Sequence, residues 1–242
     1  MLNEAAAVGS NSGDNKRKPP VAAIFIIVAM AAIGIYGYFS VSDTNNSGQL
    51  IAKAYEAIKV DNYKEGIEIL TKVIEADPQN ADAHMLRAIT YGKHGSHQQA
   101  IAGLDKAISL NPQLTEAYIN RGVAYASIAK HNEAIADYDK AIQLNPQHKP
   151  AYSARARSYM VIGSLDKAID DYKKVIELNP DDPSGYYNVS CAYSLAKDIS
   201  KSCEYLQKSI EKGLSAFLEV KQDKDLDNIR DSSCYKKIME GK

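Results

Sequence analysis

The chain has no tryptophan and three phenylalanines among 242 residues, so its aromatic packing must come from 16 tyrosines. It has three cysteines, an odd number without metal-ligand spacing, which argues against a zinc ribbon and against a disulfide-stapled fold. Charge of one sign is also lacking: the formal net charge is −1, leaving no strong field for nucleic acid or for an acidic surface. There is no phosphate-cradling glycine loop and no dinucleotide-type glycine run. Cys191, Cys203 and Cys234 have no His or Asp pattern that would mark a nucleophile. No enzyme, no cofactor and no metal is expected.

What the chain does have is a period. Pro78, Pro112, Pro146 and Pro180 stand 34 residues apart, and so do Tyr91, Tyr125, Tyr159 and Tyr193. Ala100, Ala134 and Ala168 repeat at the same interval, as does an isoleucine from Ile74 to Ile210. The most regular copy, Thr115 to His148, reads as two amphipathic helices joined by a short turn. Gly122, Ala134 and Ala141 are small where helices must approach to ~8–10 Å. Tyr118, Tyr125 and Tyr138 fill the wider gaps, and Pro146, lacking an N–H, ends the unit. Self-similarity at this period implies stacked helix pairs.

These positions resemble the tetratricopeptide repeat family across roughly Ser47 to Gly213. The resemblance implies an all-α, right-handed solenoid of antiparallel helix pairs in five units, 47–80, 81–114, 115–148, 149–182 and 183–213. The outer units depart from the pattern. Ala57 stands for Tyr and Gly66 for Ala in the first, and Ser190, Ser202 and Ser209 take the small positions in the fifth. Residues 214–242 read as a helical cap. Asp225, Leu226, Ile229, Arg230, Tyr235 and Ile238 resemble a terminal segment common after bacterial repeat arrays.

Ahead of the repeats the composition changes twice. Residues 1–20 are polar, end in Lys16-Arg17-Lys18, and are expected to be disordered. Val21 to Phe39 carries no charge, and as a helix it would be about 28 Å long, close to the ~30 Å of a bilayer core. The expectation is a single transmembrane helix with the basic flank in the cytoplasm and the repeats extracytoplasmic, on the periplasmic side of a bacterial inner membrane. A cleaved signal peptide is the alternative. Residues 40–46 read as a linker.

The family resemblance also implies a concave groove for a peptide or another protein's extended segment. Carried over by position, it would present Tyr55, Met85, Ile89, Ile119, Asn120, Val123, Ser153, Arg157, Tyr187, Asn188 and Cys191. That set is mostly apolar and lacks the ring of basic groups that clamps a terminal carboxylate in some family members. The expected role is a protein-interaction scaffold at a membrane; the alternative is a non-catalytic subunit of one membrane-associated complex. Nucleic acid is not expected as a partner, and self-association through the solenoid ends stays open.

Three smaller features need a reading. His94 and His97 fall at a turn, and His131 repeats His97, which suits packing better than metal. Cys191 and Cys203 could pair in an oxidising space. Arg87, Arg121 and Arg155 share one register position, with Asp137 and Asp171 recurring on the second helix. Ion pairs that fix repeat geometry are expected there, each stabilising by ~0–1 kcal/mol as a surface pair.

Overall fold

The computed structural model describes residues 44–240, and the expected membrane segment at 21–39 lies outside them. Among the described residues every element is helical, and none is long and apolar enough to cross a membrane. Five helix pairs follow one another: α1 Thr44–Lys59 with α2 Tyr63–Ala76; α3 Ala81–Lys93 with α4 His97–Leu110; α5 Thr115–Ser127 with α6 His131–Leu144; α7 Lys149–Val161 with α8 Leu165–Leu178; and α9 Pro183–Leu195 with α10 Ile199–Glu211. The tail forms α11 Phe217–Gln222, a 3₁₀ turn Lys224–Leu226, α12 Asp227–Arg230 and α13 Ser233–Met239. The first helix starts at Thr44, so the expected linker gives up its last residues to helix.

From α1 to α10 each helix packs on its neighbours along the chain, which makes an α-solenoid of paired helices. The small residues sit where the backbones converge. A Cβ at Gly122 would lie 2.6 Å from the Tyr138 ring, so that tyrosine lies flat on a helix face only glycine leaves open. In the second unit the exchange is reversed: a Cβ at Gly103 would lie 2.7 Å from that of Ala88. Between units the same role falls to Ala83, Ala117 and Ala151, all at most 1% exposed. Gln49 stands at that register in the first unit and is exposed, as suits an end with no preceding neighbour.

The turn inside each pair is one motif repeated five times. The carbonyls of Ala57, Tyr91, Tyr125, Tyr159 and Tyr193 each accept from the backbone N–H five residues on. That closure needs a left-handed residue just before the donor. Gly95 and Gly163 supply it freely, whereas Asp61, Ala129 and Lys197 hold φ near +60°. A side chain there costs roughly 1–2 kcal/mol, and glycine's own entropic penalty returns part of that. Ala129→Gly is therefore expected to raise stability by about 0.5–1 kcal/mol, read as a higher urea midpoint; Gly163→Ala should lower it.

Second helices end on an Asx turn. Asp77, Asn111 and Asn145 accept from the N–H of Gln79, Gln113 and Gln147 through their side chains, at 3.0–3.1 Å. Each precedes a proline, which holds it in extended backbone and stops the helix.

Sequence reasoning about the cysteines needs correction. Cys203 of α10 is bonded to Cys234 of α13, and Cys191 is a free, buried thiol. Cys191 instead faces Asp223, with Sγ 3.8 Å from its carboxylate. Burial pushes this thiol well above the ordinary range, so it is a poor nucleophile. The disulfide pins a tail whose Val220, Leu226, Ile229, Tyr235 and Met239 are buried against α9 and α10.

The recurring arginines also differ from the surface pairs expected. Arg121 donates from Nε and Nη2 to both oxygens of Asp137, at 2.8 and 2.6 Å, and from Nη1 to Asp105 of the preceding unit, at 2.7 Å. Arg155 repeats this with Asp171 and Asp139. The Asp137 and Asp171 side chains are only 7% and 8% exposed, so those pairs are buried inside a unit, while the half-exposed Asp105 and Asp139 tie each arginine to the preceding unit. Asp182 caps α9 at Ser184 and pairs with Lys149 at the start of α7. Arg87 makes a weaker version, a single bond of 3.1 Å to the Thr71 hydroxyl.

Candidate partner-binding groove

The first helices of successive units, α3, α5 and α7, touch along one wall of the solenoid. The clearest hollow in that wall lies between α3, α4 and α5, with a volume of about 210 Å³. Ala88, Ile89, Val123, Ala124 and Leu104 give it an apolar floor, and Lys93, His97 and Asn120 stand around it. Val123 is 45% exposed, a branched apolar side chain left in the open at the centre of the wall. Ser127 closes the far end and spends its hydroxyl on the Val123 carbonyl at 2.9 Å.

The structure sorts the residues carried over by position. Ile89, Asn120 and Val123 line this hollow together. Met85 and Ile119 are buried, 1% and 7% exposed, and pack between helices instead of facing outward. Cys191 is buried as well. Tyr55, Ser153 and Asn188 are half-buried, and Arg157 is exposed. Burial beside Asp82 pushes the Tyr55 phenol up to about 12. Asn120 donates one amide hydrogen to the Glu116 carbonyl at 2.7 Å and keeps its carbonyl oxygen for another partner.

At the C-terminal end the wall is taken by the chain's own tail. The Tyr187 hydroxyl donates to Asp223, and Asn228 donates to the Ser194 carbonyl at 3.0 Å. Tyr187 is therefore held by the tail, and the open wall runs over the second to fourth units. Sequence position alone did not reveal this, since nothing in the periodic part encodes where a non-periodic tail lands. Leu104, His97 and Lys93 were missed for another reason: Leu104 and His97 come from the second helix, and Lys93 from the last turn of the first. Among the described residues no group of His, Cys, Asp or Glu is arranged to hold a metal ion.

Models of the tetratricopeptide repeat match residues 57–120, 115–148 and 183–211, and a TPR repeat model matches 156–194. The chain belongs to the tetratricopeptide repeat family. Among solved structures it is similar to MamA, with 27% identity and a TM-score of 0.62 over 73% of this chain and 96% of that one. MamA from Desulfovibrio magneticus RS-1 is more distant in sequence, 17% identical with a TM-score of 0.64 over 69% and 95% of the two chains. YrrB, described as a TPR protein with an unusual peptide-binding site, is 18% identical with a TM-score of 0.61 over 81% and 95%. At those lower identities the likeness is one of fold. No curated protein matches the chain.

Proposed function

We propose that this tetratricopeptide solenoid is a non-catalytic interaction scaffold that takes an extended segment of a partner protein along the wall of α3, α5 and α7. The observation that carries this is Val123, exposed over an apolar hollow that no described part of the chain covers. Burying a side chain of valine or leucine size there would contribute about 1.5–3 kcal/mol, enough to anchor a segment whose backbone is held by amide groups such as Asn120. The peptide-binding site named for YrrB is consistent with such a use of the fold.

The same proposal places the scaffold at a membrane. Its support is the uncharged run 21–39 behind a basic flank. The Cys203–Cys234 bond adds to it, because such bonds persist mainly in extracytoplasmic, oxidising spaces. A photo-crosslinking residue placed at 123 in the native membrane tests the groove. Label is expected from position 123 and not from Asn132, which is exposed on the second helix. Val123→Arg should cut the yield of an inner-wall probe at least tenfold while leaving helical content unchanged. Equal labelling from 132 would overturn the groove.

A further inference from the structure

Resting on that groove, we propose that the wall selects for acidity: Arg157 receives an Asp or Glu side chain of the bound segment, about three residues from the apolar side chain that fills the Ile89–Val123 hollow. The neighbouring arginines cannot serve, since Arg121 and Arg155 are spent on two carboxylates each. Arg157 lies two residues further along α7, exposed, and makes no ion pair or hydrogen bond among the described residues.

Two phenols flank it. Among the described residues Tyr138 and Tyr172 are the largest buried side chains, yet neither hydroxyl has a hydrogen-bond partner there. Neither oxygen is wholly sealed from solvent. Burial drives both phenols up, Tyr138 to about 12, and the Arg157 charge pulls both down. The result is a planar cation and two hydroxyls that feel its charge, none of the three with a hydrogen-bond partner among the described residues. The nearby carboxylates Asp139 and Asp171 are committed to Arg155, whereas Asp225 of the tail acts on Tyr172 and is pushed up by burial and by the like charges of Asp223 and Asp227. A carboxylate satisfies such a set, because guanidinium binds it through two parallel hydrogen bonds.

The spacing follows from register. Val123 and Arg157 hold the same position in successive units, on helices that touch. Packed helix axes lie ~8–10 Å apart, and an extended chain rises ~3.3 Å per residue, so the two sites fall about three residues apart along a bound segment. This differs from gripping a chain terminus, which needs several basic groups around one carboxylate.

The test is selection of random twelve-residue peptides on the full-length chain in detergent micelles. The peptides are displayed with their C-termini fused to the carrier, so that no terminal carboxylate is offered. The wild type should enrich Asp or Glu at least tenfold at three residues from Leu, Ile, Val or Met. Arg157→Glu, a change at an exposed position, should move that preference to Lys or Arg with an unaltered circular dichroism spectrum. Val123→Arg should abolish enrichment. If wild type and Arg157→Glu select the same sequences while Val123→Arg still abolishes them, acid selection is wrong and the groove stands. Selection indifferent to Val123→Arg removes the groove itself, and no enrichment on the wild type counts against both.

Discussion

Arg155→Met should destabilise the solenoid by about 3–5 kcal/mol, the usual cost of leaving a buried carboxylate without its partner. Asp171 is the reason: it is 8% exposed and both its oxygens accept from Arg155, at 2.6 and 2.8 Å. The other partner, Asp139, is half exposed and can return to water at little expense. The double variant Arg155→Met with Asp171→Leu should recover most of the loss, since a buried ion pair exchanged for apolar side chains of similar volume is close to neutral. Arg87→Met supplies the contrast. Its single bond goes to a hydroxyl, so it should cost about 1 kcal/mol or less. Urea midpoints of the three variants decide the matter. A single-variant loss below 1 kcal/mol would mean the Arg155 pair acts as a surface pair after all.

That contrast also shows what was legible beforehand. The period was plain because it rests on residue size: Gly122, Ala134 and Pro146 each do something a larger or more flexible residue cannot. The left-handed turn was half hidden, since Gly95 and Gly163 mark it openly while Asp61, Ala129 and Lys197 hold the same conformation without advertising it. The Arg–Asp pairing was legible as a pairing. Its burial was not, because position on a single helix does not say how deeply a neighbouring unit will cover a charge. Of the groove set, Ile89, Asn120 and Val123 border open space between first helices, and Met85 and Ile119 turn inward because their face meets the adjoining helix. The disulfide was misread for a different reason. Cys191 and Cys203 sit in one helix pair and invite a local bond, whereas the partner of Cys203 lies 31 residues on in a tail that follows no period.

Cys234→Ser should loosen that tail by roughly 3–4 kcal/mol on a chain-entropy estimate for a closure spanning 31 residues. Cys234 is the better residue to change, because it is only half-buried while Cys203 is packed in the terminal core. The loss should be local. Opening the tail uncovers Leu226 and Ile229, both fully buried, but the tail packs chiefly on α9 and α10, so α3 to α8 keep their main neighbours. Hydrogen exchange in α12 and α13 should therefore speed up by two orders of magnitude or more, with the 81–178 amides unchanged. Dithiothreitol on the wild type should give the same pattern. Uniform acceleration across all five units would show instead that the tail nucleates the whole array. No acceleration at all would show that burial of Val220, Leu226 and Ile229 holds the cap without the bond. Local loosening also carries a consequence for the groove, because Tyr187 then loses Asp223 and the open wall extends into the fifth unit. An inner-wall probe at 187 should be silent in the oxidised protein and should label the partner only after reduction.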